Sequence, residues 1–215
     1  GWKTRKKSSE DCLLIKGVLH LCASASRCRT HYSILNKVQL PDHFKVVRRL
    51  SLKNSPMKKF NIEEINELIR SRRSVFTNQY TSEKVDDSII QQMLENANWA
   101  PTHKFTEPWR FVVFAGDGLK KLADFQSELW KQINEAKGTF VEAKYQSLKT
   151  KPLECSHIIA IGMKRDEKKS IPEWEELGAV FCAREKMYRT ATAYHVGCYL
   201  STGGITNYEK AKSFF

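Results

Sequence analysis

Two stretches of the chain repeat apolar residues every three or four positions. In "FNIEEINELIRSRRS", Ile62, Ile65, Leu68 and Ile69 fall on one side of a helix. "VDDSIIQQMLENANWA" does the same with Ile89, Ile90, Met93, Leu94 and Ala97; Asp86 stands in the N-cap position and Pro101 stops the helix. The period then changes. "RFVVFAG", closed by Gly116, and "HIIAIGM" are short continuous apolar runs, the pattern of buried strands. The lysine-rich region between them, "LKKLADFQSELWKQINEAKGTFVEAKYQSL", reads as helical. "PEWEELGAVFCAREKMYRTATAYHVGCYL" predicts one long helix over Glu173–Leu200 with Pro172 in its first turn. Its apolar face holds Leu177, Val180, Phe181, Met187, Tyr188 and Ala191, and the glycine pair of "STGGI" ends it. The order of elements is that of an α+β or α/β domain. Two strands are too few to cover these helices, so more strand is expected beyond Phe215 or from a partner subunit. "YEKAKSFF" reads as a helix cut off without a cap.

Composition alters this picture at one end. A chain of 215 residues, 41% hydrophobic and 11% aromatic, can build one domain with a core and an appendage. No apolar stretch approaches the roughly 18–20 residues of a membrane helix, so a soluble protein with no membrane partner is expected. Of the net charge of +12, residues 1–56 carry 12 of the 36 Lys/Arg and 3 of the 24 Asp/Glu, a local excess of +9. They read as a basic N-terminal extension, disordered or foreign to the domain, and residues 57–215 as the domain itself. Within the extension "CLLIKGVLHLCA" suits a short helix or a strand. An Arg-rich, acid-poor leader also makes organelle import the alternative to a cytoplasmic location. The near-neutral body carries no nucleic-acid signature, so no nucleic-acid partner is expected. Six scattered cysteines without a secretory signal imply reduced thiols. His20, Cys22, Cys28 and His31 follow the spacing of no common zinc module, and no metal is expected.

Three stretches carry candidate chemistry. "RSRRS", Arg70 to Ser74, closes the first helix; it suits a phosphate through charge-assisted bonds, or simply complements a helix C-terminus. "APTHKFTEPWRF" holds more chemistry than a connection needs, with His103 and Lys104 beyond a helix-breaking proline and Trp109 for the core. "YLSTGGI" offers the Ser201 and Thr202 hydroxyls and glycines that permit close backbone approach, or a plain helix cap and turn. There is no Gly-rich dinucleotide loop, no Walker loop and no Ser–His–Asp order, so no catalytic side chain is assigned.

Together these three stretches resemble the nitroreductase family of FMN enzymes from about Phe60 to the end. The A-P-x-H-K-x-x-x-P-W-R-F loop is similar to that of its small YdjA-type branch. The resemblance implies a small antiparallel-type sheet flanked by helices, a homodimer with the pocket at the interface, and FMN as cofactor. It implies that Arg72, Arg73, Ser74 and His103 contact FMN, and that Leu200, Ser201 and Thr202 contact it from the facing subunit. It assigns Thr190 to His195 to the nicotinamide nucleotide. Trp99 stands at a cofactor-binding position where close relatives have arginine. The implied activity is ping-pong hydride transfer from NADH or NADPH through flavin N5 to a nitro-aromatic, quinone or similar small acceptor. Arg72 or Arg73 would supply the cation at the N1–C2=O edge of the flavin. The alternative is a catalytically impaired flavin-binding protein of the same fold, since the family's last strand and basic tail are absent after Phe215.

Overall fold

The structure is a computed structural model that describes residues 14–23, 59–81, 83–202 and 204–215. Among the described residues four strands form one sheet: β1 (Leu14–Ala23), β2 (Trp109–Ala115), β3 (His157–Met163) and β4 (Val196–Ser201), in the order β2-β3-β1-β4. Every neighbouring pair is antiparallel. Among the described residues five α-helices pack around it: α1 (Ile62–Ser71), α2 (Asp87–Ala97), α3 (Asp117–Ala136), α4 (Glu142–Thr150) and α5 (Glu173–Ala193).

β3 explains the continuous apolar run in its sequence, because both of its faces are covered. Ile159, Ile161 and Met163 join the core under α2 and α5, with Ile90, Met93, Val180, Ala183 and Met187. Ile158 and Ala160 join Phe114, Leu119, Leu122 and Ile205 on the other face, beneath α3. The Asp86 side chain caps α2 by accepting from the Ser88 N–H at 2.7 Å. Gly116, at φ 50°, makes the tight turn from β2 into α3.

Three expectations are corrected. Residues 1–56 are not wholly outside the fold, since Leu14–Ala23 is an inner strand of the sheet. Val18 lies between Ala160 and Ser201, and Leu21, fully buried, lies between His157 and Cys198. The backbone of "LIKGVLHLCA" pairs with two strand edges at once. The remaining residues of that segment, including Cys28 and His31, lie outside the described residues. The helix predicted over Glu173–Leu200 ends at Ala193. His195 turns left-handed at φ 57°, and Val196–Ser201 leaves as β4. The helical reading runs across Val196–Leu200, residues that with Ser201 form the strand VGCYLS and suit it better. The two strands expected from the sequence are joined by two more from within the chain, β1 and β4. At the other end, Glu209–Ala211 forms a single helical turn, and beyond it Phe214 stacks on Phe125 at 3.9 Å between ring centroids.

Among the described residues, no helix is long and apolar enough to cross a membrane. The apolar face of α1 stays largely open in the single chain, with Ile62, Ile65 and Ile69 all exposed.

Candidate functional site

The RSRRS segment leaves α1 in extended conformation at Arg72 (φ −56°, ψ 126°) and runs beside the outer edge of the sheet. Ser74 bridges to Cys198 in parallel register, and the Val75 N–H donates to the Cys198 carbonyl at 3.1 Å. The approach is close: a Cβ on Gly197 would stand 3.2 Å from the Val75 side chain, so glycine suits this position. The two arginines part company. Arg73 folds back, its Nη1 donating to the carbonyls of Arg70 and Arg72, which is the helix-end role. Arg72 lies 5.5 Å above the ring of the buried Tyr188 on the α5 face.

Beyond Ser74 the chain turns along the opposite face. There Phe76 meets Tyr199 at 5.2 Å between centroids and helps to line a cavity of about 910 Å³. Trp130 of α3, Lys144 of α4 and Lys151 at the end of α4 also line it, as does Ser201. Strand alternation divides the predicted β4 residues. Leu200 packs into the α5-side core, Ser201 faces the cavity, and Thr202 is exposed beyond the strand end. The described lining holds two lysines and one acid, Glu154, so the cavity favours an anion. Its volume falls in the range of ligand sites, roughly 300–1,000 Å³.

The remaining predicted residues lie elsewhere. Trp99, 82% exposed, borders a shallower groove with Asn96, Lys186, Arg189 and Tyr194. His103 docks on the first turn of α5, its Nδ1 2.6 Å from Glu175 Oε2. Thirteen residues of α5 separate Glu175 from Tyr188, about 20 Å of helix. Within one chain His103 and Arg72 therefore belong to opposite ends of α5. The stretch Thr190 to His195 is also divided. Thr190 and Ala191 are buried, and the Thr190 hydroxyl donates to the Lys186 carbonyl at 2.9 Å and accepts from Asn96; Ala193 to His195 are exposed. Phe76, Trp130, Lys144, Lys151 and Tyr199 went unnoticed in the sequence. Lys144 falls in the lysine-rich stretch that reads as helical and Lys151 beyond it, and only the position of Phe76 just after RSRRS points to the cavity. Among the described residues no metal-binding group of three or more His, Cys, Asp or Glu side chains converges.

Burial shapes the ionisation of this region. It pushes the Cys198 thiol and the Tyr188 and Tyr199 hydroxyls each up to about 12, from 9.0 and 10.0. A group whose pKa is raised on folding lends stability below its unfolded value and loses it as pH climbs through the folded one. The melting temperature should therefore fall as pH rises from about 9 towards 12, and Cys198→Ala should flatten part of that slope. An unchanged slope would show that Cys198 contributes nothing. At neutral pH thiol reagents should modify exposed Cys182 well before Cys198.

The described residues thus form an α+β domain with helices on both faces of an antiparallel sheet and a roomy cation-lined cavity beside one edge strand. The pattern of the nitroreductase family matches residues 69–214, and the chain belongs to that family. Its relatives include YfhC of Bacillus subtilis (strain 168), 34% identical over 85 residues, 40% of this chain and 42% of that protein. YdjA of Escherichia coli (strain K12) is 28% identical over 117 residues, 54% of this chain and 61% of that protein. Both are provisionally named NAD(P)H nitroreductases, and the match spans only about half of their length. Among solved structures, a nitroreductase-like family protein from Bacillus cereus superposes with a TM-score of 0.58 at 27% identity, over 73% of this chain and 78% of that one.

Proposed function

We propose that this chain is an FMN-dependent oxidoreductase that uses NADH or NADPH, works as a homodimer and is located in the cytoplasm. The observation that carries this reading is the cavity between Ser201 and the residues that follow Arg72–Ser74. Its aromatic walls suit a planar ring, and Lys144 and Lys151 suit a phosphate or the anionic edge of a reduced ring. When bound, FMN supplies ping-pong hydride transfer to a nitro-aromatic, quinone or similar acceptor.

The chain's own residues have simpler tasks. Arg72, over Tyr188 on the other side of β4, and Ser74, at its edge, bind the part of the ligand that reaches past the strand, and the Ser201 hydroxyl orients the part in the cavity. The charge near the N1–C2=O edge passes in this reading from Arg73, which is bonded to carbonyls, and Arg72, which stacks on Tyr188, to Lys151. Phe76 and Trp130 exclude water. His103 stands too far from Arg72 to serve the same pocket in one chain. A second copy related by a two-fold axis would bring its own His103 to that pocket, and the open apolar face of α1 is available for such a contact.

The test is the absorbance spectrum of the purified protein before and after anaerobic NADH, with the cofactor released by denaturation. FMN that bleaches with NADH is expected. Bound FMN that does not bleach would favour a flavin binder without turnover, and no flavin or FAD would overturn the reading. Arg72→Ala should weaken FMN binding by about 1.5–3 kcal/mol, the range for a hydrogen bond to a charged group. An unchanged titration of the apoprotein would leave Arg72 only its stacking on Tyr188.

A further inference from the structure

We infer that Glu175 is a positioning residue: it holds the His103 ring in one orientation and one tautomer for the ligand. The inference rests on the flavin reading above. The two side chains meet at 2.6 Å, Nδ1 to Oε2, and an ionised carboxylate only accepts, so Nδ1 carries the hydrogen. In the neutral ring Nε2 is then an acceptor. The His103 side chain remains 54% exposed, so its free edge is open to a hydroxyl or N–H of a ligand.

The surroundings are built to hold this pair. Lys104, Phe105 and Glu107, none of them glycine, all have positive φ, at 53°, 54° and 41°. Such conformations are costly and persist only where other contacts hold them. Those contacts are present. Thr102 and Thr106 share a hydroxyl hydrogen bond at 3.1 Å, the Glu107 N–H donates to the Thr102 hydroxyl, and Lys104 Nζ donates to the Ser170 carbonyl at 3.1 Å. The loop is thus tied at two points, Ser170 and Glu175, to the segment that enters α5. That segment is anchored in turn by the fully buried Glu176, which accepts from Arg165 Nε and from the Asp166 N–H, each at 2.7 Å. An unconstrained connection would need none of this. The chain accepts a strained loop, and the outcome is a half-exposed histidine with its Nδ1 satisfied.

The experiment compares wild type, Glu175→Ala, Glu175→Gln, His103→Ala and the double Ala variant by FMN titration of the full-length apoprotein, and reads His103 by ¹⁵N NMR. Glu175→Ala should raise the Kd about 3–10-fold, the effect of one hydrogen bond. Glu175→Gln, which still offers an acceptor, should stay within about 2-fold of wild type. The double variant should be no worse than His103→Ala alone, because Glu175 acts only through that ring. The ¹⁵N signals should report a single Nδ1–H tautomer in wild type and a mixture in Glu175→Ala. Additive losses in the double variant, or the same tautomer with and without Glu175, would overturn the proposal. Wild type that binds no FMN would overturn the flavin reading instead, and the ¹⁵N comparison would still decide whether Glu175 sets the tautomer.

Discussion

A chain that begins at Met57 is expected not to fold. Such a deletion removes β1, which pairs with β3 along one edge and with β4 along the other. It also removes Leu21, fully buried between the strands and the α2–α5 layer. Loss of one buried leucine side chain alone costs about 2–5 kcal/mol, and domains of this size are stable by only about 5–15 kcal/mol. The backbone bonds of two strand edges would be lost as well, leaving β3 and β4 with open edges prone to aggregate. Far-UV circular dichroism and sedimentation of the shortened chain provide the check. A soluble, cooperatively melting product would show that the sheet closes without β1.

The second large effect is expected at Arg165. Its guanidinium bonds the buried Glu176 at 2.7 Å and the Ile171 carbonyl at 2.8 Å, and lies 3.6 Å from Glu173. Arg165→Ala strands the Glu176 carboxylate, with only the Asp166 N–H left to it. Breaking a buried pair from one side costs about 3–5 kcal/mol. The lower end applies here, about 3 kcal/mol, because Arg165 is partly open to water and solvent can enter its place. Urea unfolding at constant slope measures it. Adding Glu176→Gln should recover part of the loss by removing the unpaired charge while keeping an acceptor for Asp166. If the double variant is no more stable than Arg165→Ala, the stranded charge is not the cause.

Much of the chain could be read from local order alone. α2 with its Asp86 cap, the strand HIIAIGM and the turn at Gly116 follow from periodicity, capping and glycine stereochemistry, which act between near neighbours. Trp109 was expected in the core and is buried there, its indole N–H donating to Asn98 at 3.0 Å. The family could also be recognised, because its three motifs lie on short contiguous stretches.

What tertiary structure decided are the placements that depend on distant partners. LIKGVLHLCA looks like helix or strand until β3 and β4 present edges to it. VGCYLS follows directly on the helical run, and the pairing with β1 fixes it as a strand. Lys151 and Phe76 become neighbours of one cavity though 75 positions separate them. His103 and Glu175 meet across 72. Short-range preferences are written in consecutive residues, whereas a pocket, an inner strand or a paired histidine exists only once the closure of long loops has brought its parts together.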